Sequence, residues 1–222
     1  MERKFDEELR ELNQLLLKMA GFVEEAIYKS VEALKARDPI LAKKVIIDDD
    51  QIDELELSID EKALDLLALR QPMAIDLRFI TTGMKINAEL ERIADLAVDV
   101  AQRVLEITQL PLLKPLVDIP KLSQISQQMV KNSIDAFVNH DVALAKKVVL
   151  TDEQADELRN QVQQELINEY MVKDGTTASR AVPLLLIARH LERICDHATN
   201  IAEDVIYMVE AKVVKHHPEK IQ

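Results

Sequence analysis

The chain has 222 residues, 48% of them apolar and 3% aromatic, with three glycines, no tryptophan and a net charge of −12. That length suits one large domain or two small ones, and a mixture rich in Leu, Ala, Ile, Val, Glu, Asp and Lys is that of long helices with few turns. The negative balance excludes a face that neutralises nucleic-acid phosphates and unaided binding to an anionic bilayer, and leaves cations and basic protein surfaces as partners.

Apolar residues Leu9, Leu12, Leu16, Met19, Val23, Ile27, Val31 and Leu34 recur at three- and four-residue steps, which predicts a first helix over Phe5–Arg37. Asp38-Pro39 ends it and opens the next, with Asp as N-cap and Pro at the first helical position. The second helix is expected to run to Leu69, with Gln71-Pro72 as the turn, and the third from Ala74 to Thr108. Pro111, Pro115 and Pro120 then prevent a helix and stiffen a linker. Helices follow over Lys121–Asn139, from an Asp141 cap to Val172, and over Thr177–Val214, with Lys173-Asp174-Gly175-Thr176 as a turn. Pro183 is tolerable if the last of these starts near Ser179. The tail Lys215–Gln222 is expected to fray. The reading is all-α: two tandem pseudo-symmetric three-helix bundles over 1–110 and 121–222, joined by a Pro-rich linker at 111–120.

The chain also repeats itself. Residues 30–55 match 133–158 at 13 of 26 positions, including Leu41-Ala42-Lys43-Lys44-Val45 against Leu144-Ala145-Lys146-Lys147-Val148. Residues 88–104 match 189–205 at 8 of 17, including Glu91-Arg92-Ile93 against Glu192-Arg193-Ile194. A period this long indicates a duplicated subdomain rather than a solenoid unit.

Both copies carry carboxylates spaced by four, hence on one face of one helix. Asp49 and Asp53 lie on the second helix and Glu91, Asp95 and Asp99 on the third. In a hairpin turning at Pro72, Asp53 is level with Glu91 and Asp49 with Asp95. In the second copy, Asp156 is level with Glu192 and Asp152 with Asp196, about a centre at Asp174. Like charges at this spacing cost roughly 0.2–0.5 kcal/mol per pair, so two such clusters need a cation, a raised pKa or solvation. Oxygen-only donors suit Mg²⁺, Mn²⁺, Ca²⁺ or Fe³⁺, and the lack of recurrent Cys or His disfavours structural zinc. Asn200 replaces Asp99 in the second copy, so the two sites should differ in charge. His197, after Asp196, is an extra ligand or a rim histidine; Arg92 and Arg193 read as ion-pair partners of the clusters.

No Glu-x-x-His pair, Gly-rich phosphate loop or Ser/His/Asp grouping marks a catalytic centre. Cys195 stands alone in an apolar helical pattern and reads as a buried packing thiol in a reducing compartment. The N-terminus is not a signal peptide and the longest apolar run, Ala181–Ala188, is too short to span a bilayer, so a cytoplasmic location is expected. On the residues alone, three readings remain: a metal-binding adaptor, a carboxylate-bridged metal enzyme on a bundle, and a metal-free interaction bundle.

The stretch Arg70-Gln71-Pro72-Met73-Ala74-Ile75-Asp76-Leu77-Arg78, followed by Glu91-Arg92-Ile93-Ala94-Asp95, closely resembles the PhoU family of phosphate-uptake regulators. So does Arg189-His190-Leu191-Glu192-Arg193-Ile194-Cys195-Asp196-His197-Ala198-Thr199-Asn200-Ile201-Ala202-Glu203. The resemblance implies two three-helix bundles side by side and metal ions (Mg, Mn or Fe), in some members multinuclear, on the E(D)xxxD motifs. These map onto Asp49, Asp53, Glu91, Asp95 and Asp99, and onto Asp152, Asp156, Glu192, Asp196 and Asn200. It further implies a non-enzymatic cytoplasmic negative regulator. Such a protein links a phosphate ABC transporter, through its ATPase component, to a sensor histidine kinase, commonly as a homodimer.

Overall fold

The Asp38 side chain accepts hydrogen bonds from the Ile40 and Leu41 amides, and this cap divides α1 (Glu2–Ala36) from α2 (Pro39–Asp48). Asp141 does the same for Leu144 between α5 (Asp118–Asn139) and α6 (Val142–Glu165). Before each cap the chain reverses through a left-handed residue, Arg37 at φ 53° and His140 at φ 54°. The computed structural model describes residues 2–214; the predicted tail Lys215–Gln222 lies outside them. Among the described residues there is no strand, and α3 (Asp50–Arg70), α4 (Ala74–Ile107) and α7 (Ala178–Glu210) complete the set of long helices.

Four predicted helices differ in detail. α5 begins at Asp118, so Pro120 lies in its first turn rather than in the linker. α7 ends at Glu210 rather than Val214 because Ala211 turns left-handed, and two others are broken. The second predicted helix is interrupted where Asp48, Asp49 and Asp50 follow one another. Asp is a poor helix former, and here the Asp49 carbonyl accepts from both the Ile52 and Asp53 amides. Its backbone stays right-handed helical (φ −61°, ψ −36°), so α2 and α3 run on as one arm. The fifth predicted helix leaves α-geometry after Glu165 and relaxes into a π-helical turn over Leu166–Met171, and a 3₁₀ turn over Gly175–Thr177 leads into α7. Pro183 sits inside α7, buried, one turn beyond the helix start.

Each half is a three-helix bundle: α1, the α2–α3 arm and α4; then α5, α6 and α7. The halves join chiefly through α4 on α7, with α1 also on α5. Small residues let the central helices approach: Ala94, Ala97 and Ala101 on α4, and Ala188, Ala198 and Ala202 on α7, are all buried. The predicted stripe of α1 is buried from Leu12 to Leu34, with Leu9 partly covered, and the apolar side chains of both halves form one continuous core. The two repeats are therefore not independent cores.

The connecting segment is pinned at its start and at its middle. Arg37 Nη2 donates to the carbonyls of Ile107 (3.1 Å) and Thr108 (3.0 Å) and to that of Leu110. Lys114, nearly buried, pairs with Glu165. Arg37 thus satisfies carbonyls that the end of α4 leaves without helical donors. Arg37→Ala should lower stability by about 1–3 kcal/mol, read as a lower urea midpoint at unchanged slope, because charged hydrogen bonds to partly buried acceptors are lost. A change below the measurement error would show that solvent replaces the guanidinium.

Cys195 is fully buried, its Sγ donating to the Leu191 carbonyl at 3.4 Å, and burial pushes its thiol well above the ordinary range, helped by Asp152 and Asp196. We expect no alkylation of Cys195 in the folded protein near neutral pH and full labelling in denaturant. Rapid labelling without denaturant would mean that α7 opens locally.

Candidate metal site and its duplicate

The first acidic cluster lies where the α2–α3 arm faces α4. The carboxylates act on one another across the two helices, with Glu56 acting on Glu91 ahead of Asp53, and Asp53 acting on Asp95. Burial, then Asp53 and Asp95, raise Asp49 to a pKa of about 6. Burial, then Asp95, Glu56 and Asp53, raise Glu91. Burial, then Asp53 and Asp99, raise Asp95 against a hydrogen bond to Glu91. Glu56, absent from the predicted set, belongs to this cluster: burial, then Asp60, Asp53 and Asp95, raise it as well.

The duplicate lies between α6 and α7. Burial, then Asp196 and Asp156, raise Asp152 to about 6. Burial, then Asp156, raise Asp196. Here, however, a cation of the chain itself enters. Arg159 Nη2 pairs with Glu192 Oε1 at 2.9 Å and with Asp156 Oδ1 at 3.7 Å. Glu192 nevertheless stays raised, since burial outweighs the Arg159 hydrogen bond. The role expected of Arg193 falls to Arg159. Among the described residues, neither Arg92 nor Arg193 pairs directly with these carboxylates, although both act on them at longer range.

Asn200 and Asp99 are drawn to the other half. Glu89 on α4 accepts from His197 Nδ1 at 2.5 Å and from Asn200 Nδ2 at 3.3 Å. Burial raises the Glu89 carboxyl, but these two hydrogen bonds outweigh it and hold it below its ordinary value. His190 Nδ1 on α7 lies 3.6 Å from Asp99 on α4. The two contacts are related by the pseudo-twofold, since Glu89 and His190 are equivalent positions, as are Asp99 and Asn200. His197 is buried against Glu89, which makes it a link between halves.

The first cluster is oxygen-only, and Asp49, Asp53, Glu91 and Asp95 are the residues that would hold a hard cation. The raised pKa values of Asp49, Glu91 and Asp95 record burial first and then crowding by neighbouring carboxylates, which such an ion relieves. As the side chains stand, no group of three or more His, Cys, Asp or Glu among the described residues closes tightly enough to enclose an ion, so binding requires side-chain rotation toward it. No helix among the described residues is long and apolar enough to cross a membrane.

The PhoU domain family model matches residues 16–104 and 119–205, one match in each half. The chain is 43% identical over 213 residues to the phosphate-specific transport system accessory protein PhoU homolog of Aquifex aeolicus, covering 96% of both chains. It is 36% identical over 215 residues to PhoU homolog 2 of Thermotoga maritima, covering 97% of this chain and 91% of that one. The crystal structure of PhoU from Pseudomonas aeruginosa superposes with a TM-score of 0.90 at 38% identity, over 94% of this chain and all of that one. The phosphate transport system regulatory protein PhoU from Streptococcus pneumoniae does so at 0.87 and 30%, over 95% of this chain and 99% of the other. With both halves matched in sequence and the whole helical plan matched in space, the chain belongs to the PhoU family.

Proposed function

We propose that this chain is a metal-binding accessory regulator of phosphate transport. It acts in the cytoplasm as an adaptor between a phosphate ABC transporter, through its ATPase component, and a sensor histidine kinase, and it damps the phosphate-starvation response. The observation that carries this reading is the near full-length match to proteins named as phosphate-specific transport accessory proteins. The acidic surface, net charge −12, supports docking to basic protein faces rather than to nucleic acid. The absence of a nucleophile–base grouping in the sequence supports an adaptor without chemistry of its own.

A hard cation at the first cluster would supply the positive charge that Asp49, Asp53, Glu91 and Asp95 lack. The chain's own residues supply the rest. Asp49 and Asp53 stand on the α2–α3 arm and Glu91 and Asp95 on α4, so the four together tie the arm to the central helix and set the shape and charge of that face. The one continuous core carries such an adjustment as a rigid unit rather than as bending within a half. A homodimer would present two such faces.

The test is a pull-down from membranes of phosphate-replete cells with the tagged wild-type chain and with Asp95→Ala, each with and without Mn²⁺. The expected result is retrieval of the transporter ATPase and the kinase by wild type, weakened in Asp95→Ala. Retrieval of neither protein under any condition would sink the adaptor reading. Equal retrieval by both variants would remove metal from it.

A further inference from the structure

Continuing the 103-residue repeat one position past Leu55 and Leu158 brings Glu56 opposite Arg159, a reversal of charge at equivalent places. One turn further, Asp60 stands opposite Gln163. The α2–α3 arm therefore presents Asp49, Asp53, Glu56 and Asp60 along its face, whereas α6 presents Asp152, Asp156, Arg159 and Gln163. The difference is realised in contacts. Arg159 reaches across to Glu192 at 2.9 Å while remaining within 3.7 Å of Asp156, so it spans the same two helices that a metal would span. Glu56 adds a carboxylate to the first cluster, where no ion pair to Asp53, Glu91 or Asp95 is formed among the described residues.

From this we infer that the duplicated acidic sites are not equivalent: Arg159 is the resident cation of the second cluster, which needs no metal, and the first cluster is the one that depends on an exogenous hard cation. This rests on the metal reading proposed above and restricts it to one half. Arg159 Nη2 hydrogen-bonds Glu192 and makes a looser ion pair with Asp156, and a guanidinium cannot be titrated away. A divalent ion entering there has to displace Arg159 from Glu192, whose side chain is mostly out of solvent. It also meets Arg189 and Arg193, which line the same cleft of about 550 Å³ together with Gln163, Glu192 and Asp196. The second site thus keeps its own counterion with or without metal, while the first changes its net charge on binding. The duplication leaves one half as a fixed frame and the other as the responsive one.

The experiment is metal content and Mn²⁺ titration of the purified full chain after chelation, for wild type, Asp95→Asn, Asp196→Asn, Arg159→Glu and Glu56→Arg, with Arg159→Gln as a milder partner should the charge reversal unfold α6. Wild type should retain Mn²⁺ that is lost in Asp95→Asn and Glu56→Arg and untouched in Asp196→Asn. Arg159→Glu should roughly double the retained metal, and adding Asp196→Asn should remove the gain. Equal losses in Asp95→Asn and Asp196→Asn, with no gain in Arg159→Glu or Arg159→Gln, would overturn the inference while leaving the metal reading intact. Metal bound by Arg159→Glu but not by wild type would support the counterion role and overturn the metal reading of the first cluster. Metal in none of the proteins would overturn both.

Discussion

Phe137→Ala should destabilise the chain by about 3–5 kcal/mol, the cost of a buried aromatic truncated in a packed core. For a chain of this size that lowers Tm by roughly 6–20 °C. Phe137 is fully buried on α5 and stacks on Phe79 of α4, ring centroids 5.1 Å apart and planes inclined by 12°. His140, the left-handed residue that closes α5, stacks on the outer side of Phe79 at 6.1 Å. The first ring belongs to the second repeat and the second to the first, so the pair fastens the halves together. Truncation leaves a cavity in the core at the seam, where α4, α5 and α7 are each already committed to other packing and cannot collapse into it. Phe79→Ala should cost less, because Phe79 is only partly buried. The double mutant should show a coupling of about 0.5–1.5 kcal/mol beyond the two single effects. Urea or thermal unfolding of the four proteins decides it. A loss under about 1 kcal/mol for Phe137→Ala would mean that the seam contributes little and that the repeats fold as separable units.

The parts of this structure legible in the sequence are those set by local rules. Asp38 and Asp141 declare themselves as caps through their neighbours alone, and both caps form. Asp49 and Asp95, or Asp152 and Asp196, become level by counting from the turn, because antiparallel helices rise equally per residue. The break at Asp49 was not legible, since three acids in a row weaken a hydrogen-bond ladder without changing the backbone's hand. The Glu89 to His197 and Asn200 contacts, and that of His190 with Asp99, require knowing how α4 lies on α7, which no periodicity within one helix encodes. That is why Asn200, which the repeat places with the metal ligands, turns instead to Glu89. Glu56 and Arg159 are a different case. They sit one position beyond the last identity of the repeat, and a search for likeness stops there although the informative signal is a difference. The offset carried on without requiring identity would have found the reversal of charge.

In the metal-free protein, Asp49→Asn should stabilise the fold at about pH 7.5 and have almost no effect at about pH 3, below the unfolded value. The Asp49 carboxyl is lifted to about 6 by burial first and by Asp53 and Asp95 after it, whereas in the unfolded chain it returns to the ordinary range. Between those values the folded state keeps a proton that the unfolded state has released. The unfolded state therefore binds fewer protons, and stability falls as pH rises through the folded value near 6. Two full units would correspond to about 2.7 kcal/mol, but the group is only half-buried and water screens it, so about 1 kcal/mol is the expected gap. If the first cluster takes a hard cation as proposed, saturating Mn²⁺ should reverse the slope. Its ligands must be deprotonated, and at a hundredfold excess over Kd it adds about 2.7 kcal/mol to wild type at the upper pH, most of which Asp49→Asn forgoes. Acid effects elsewhere cancel because the quantity read is the difference in Tm between wild type and mutant, in chelator and in Mn²⁺, across that range. A gap that stays flat with pH in chelator would remove the crowding argument for the first cluster. If Arg159 holds the second cluster closed, Asp152→Asn should reproduce the chelator result, since Asp152 is raised to about 6 by burial and by Asp196 and Asp156, but not the Mn²⁺ one. The same substitution in two equivalent helices would then separate a carboxylate that is merely crowded from one that is crowded in order to receive an ion.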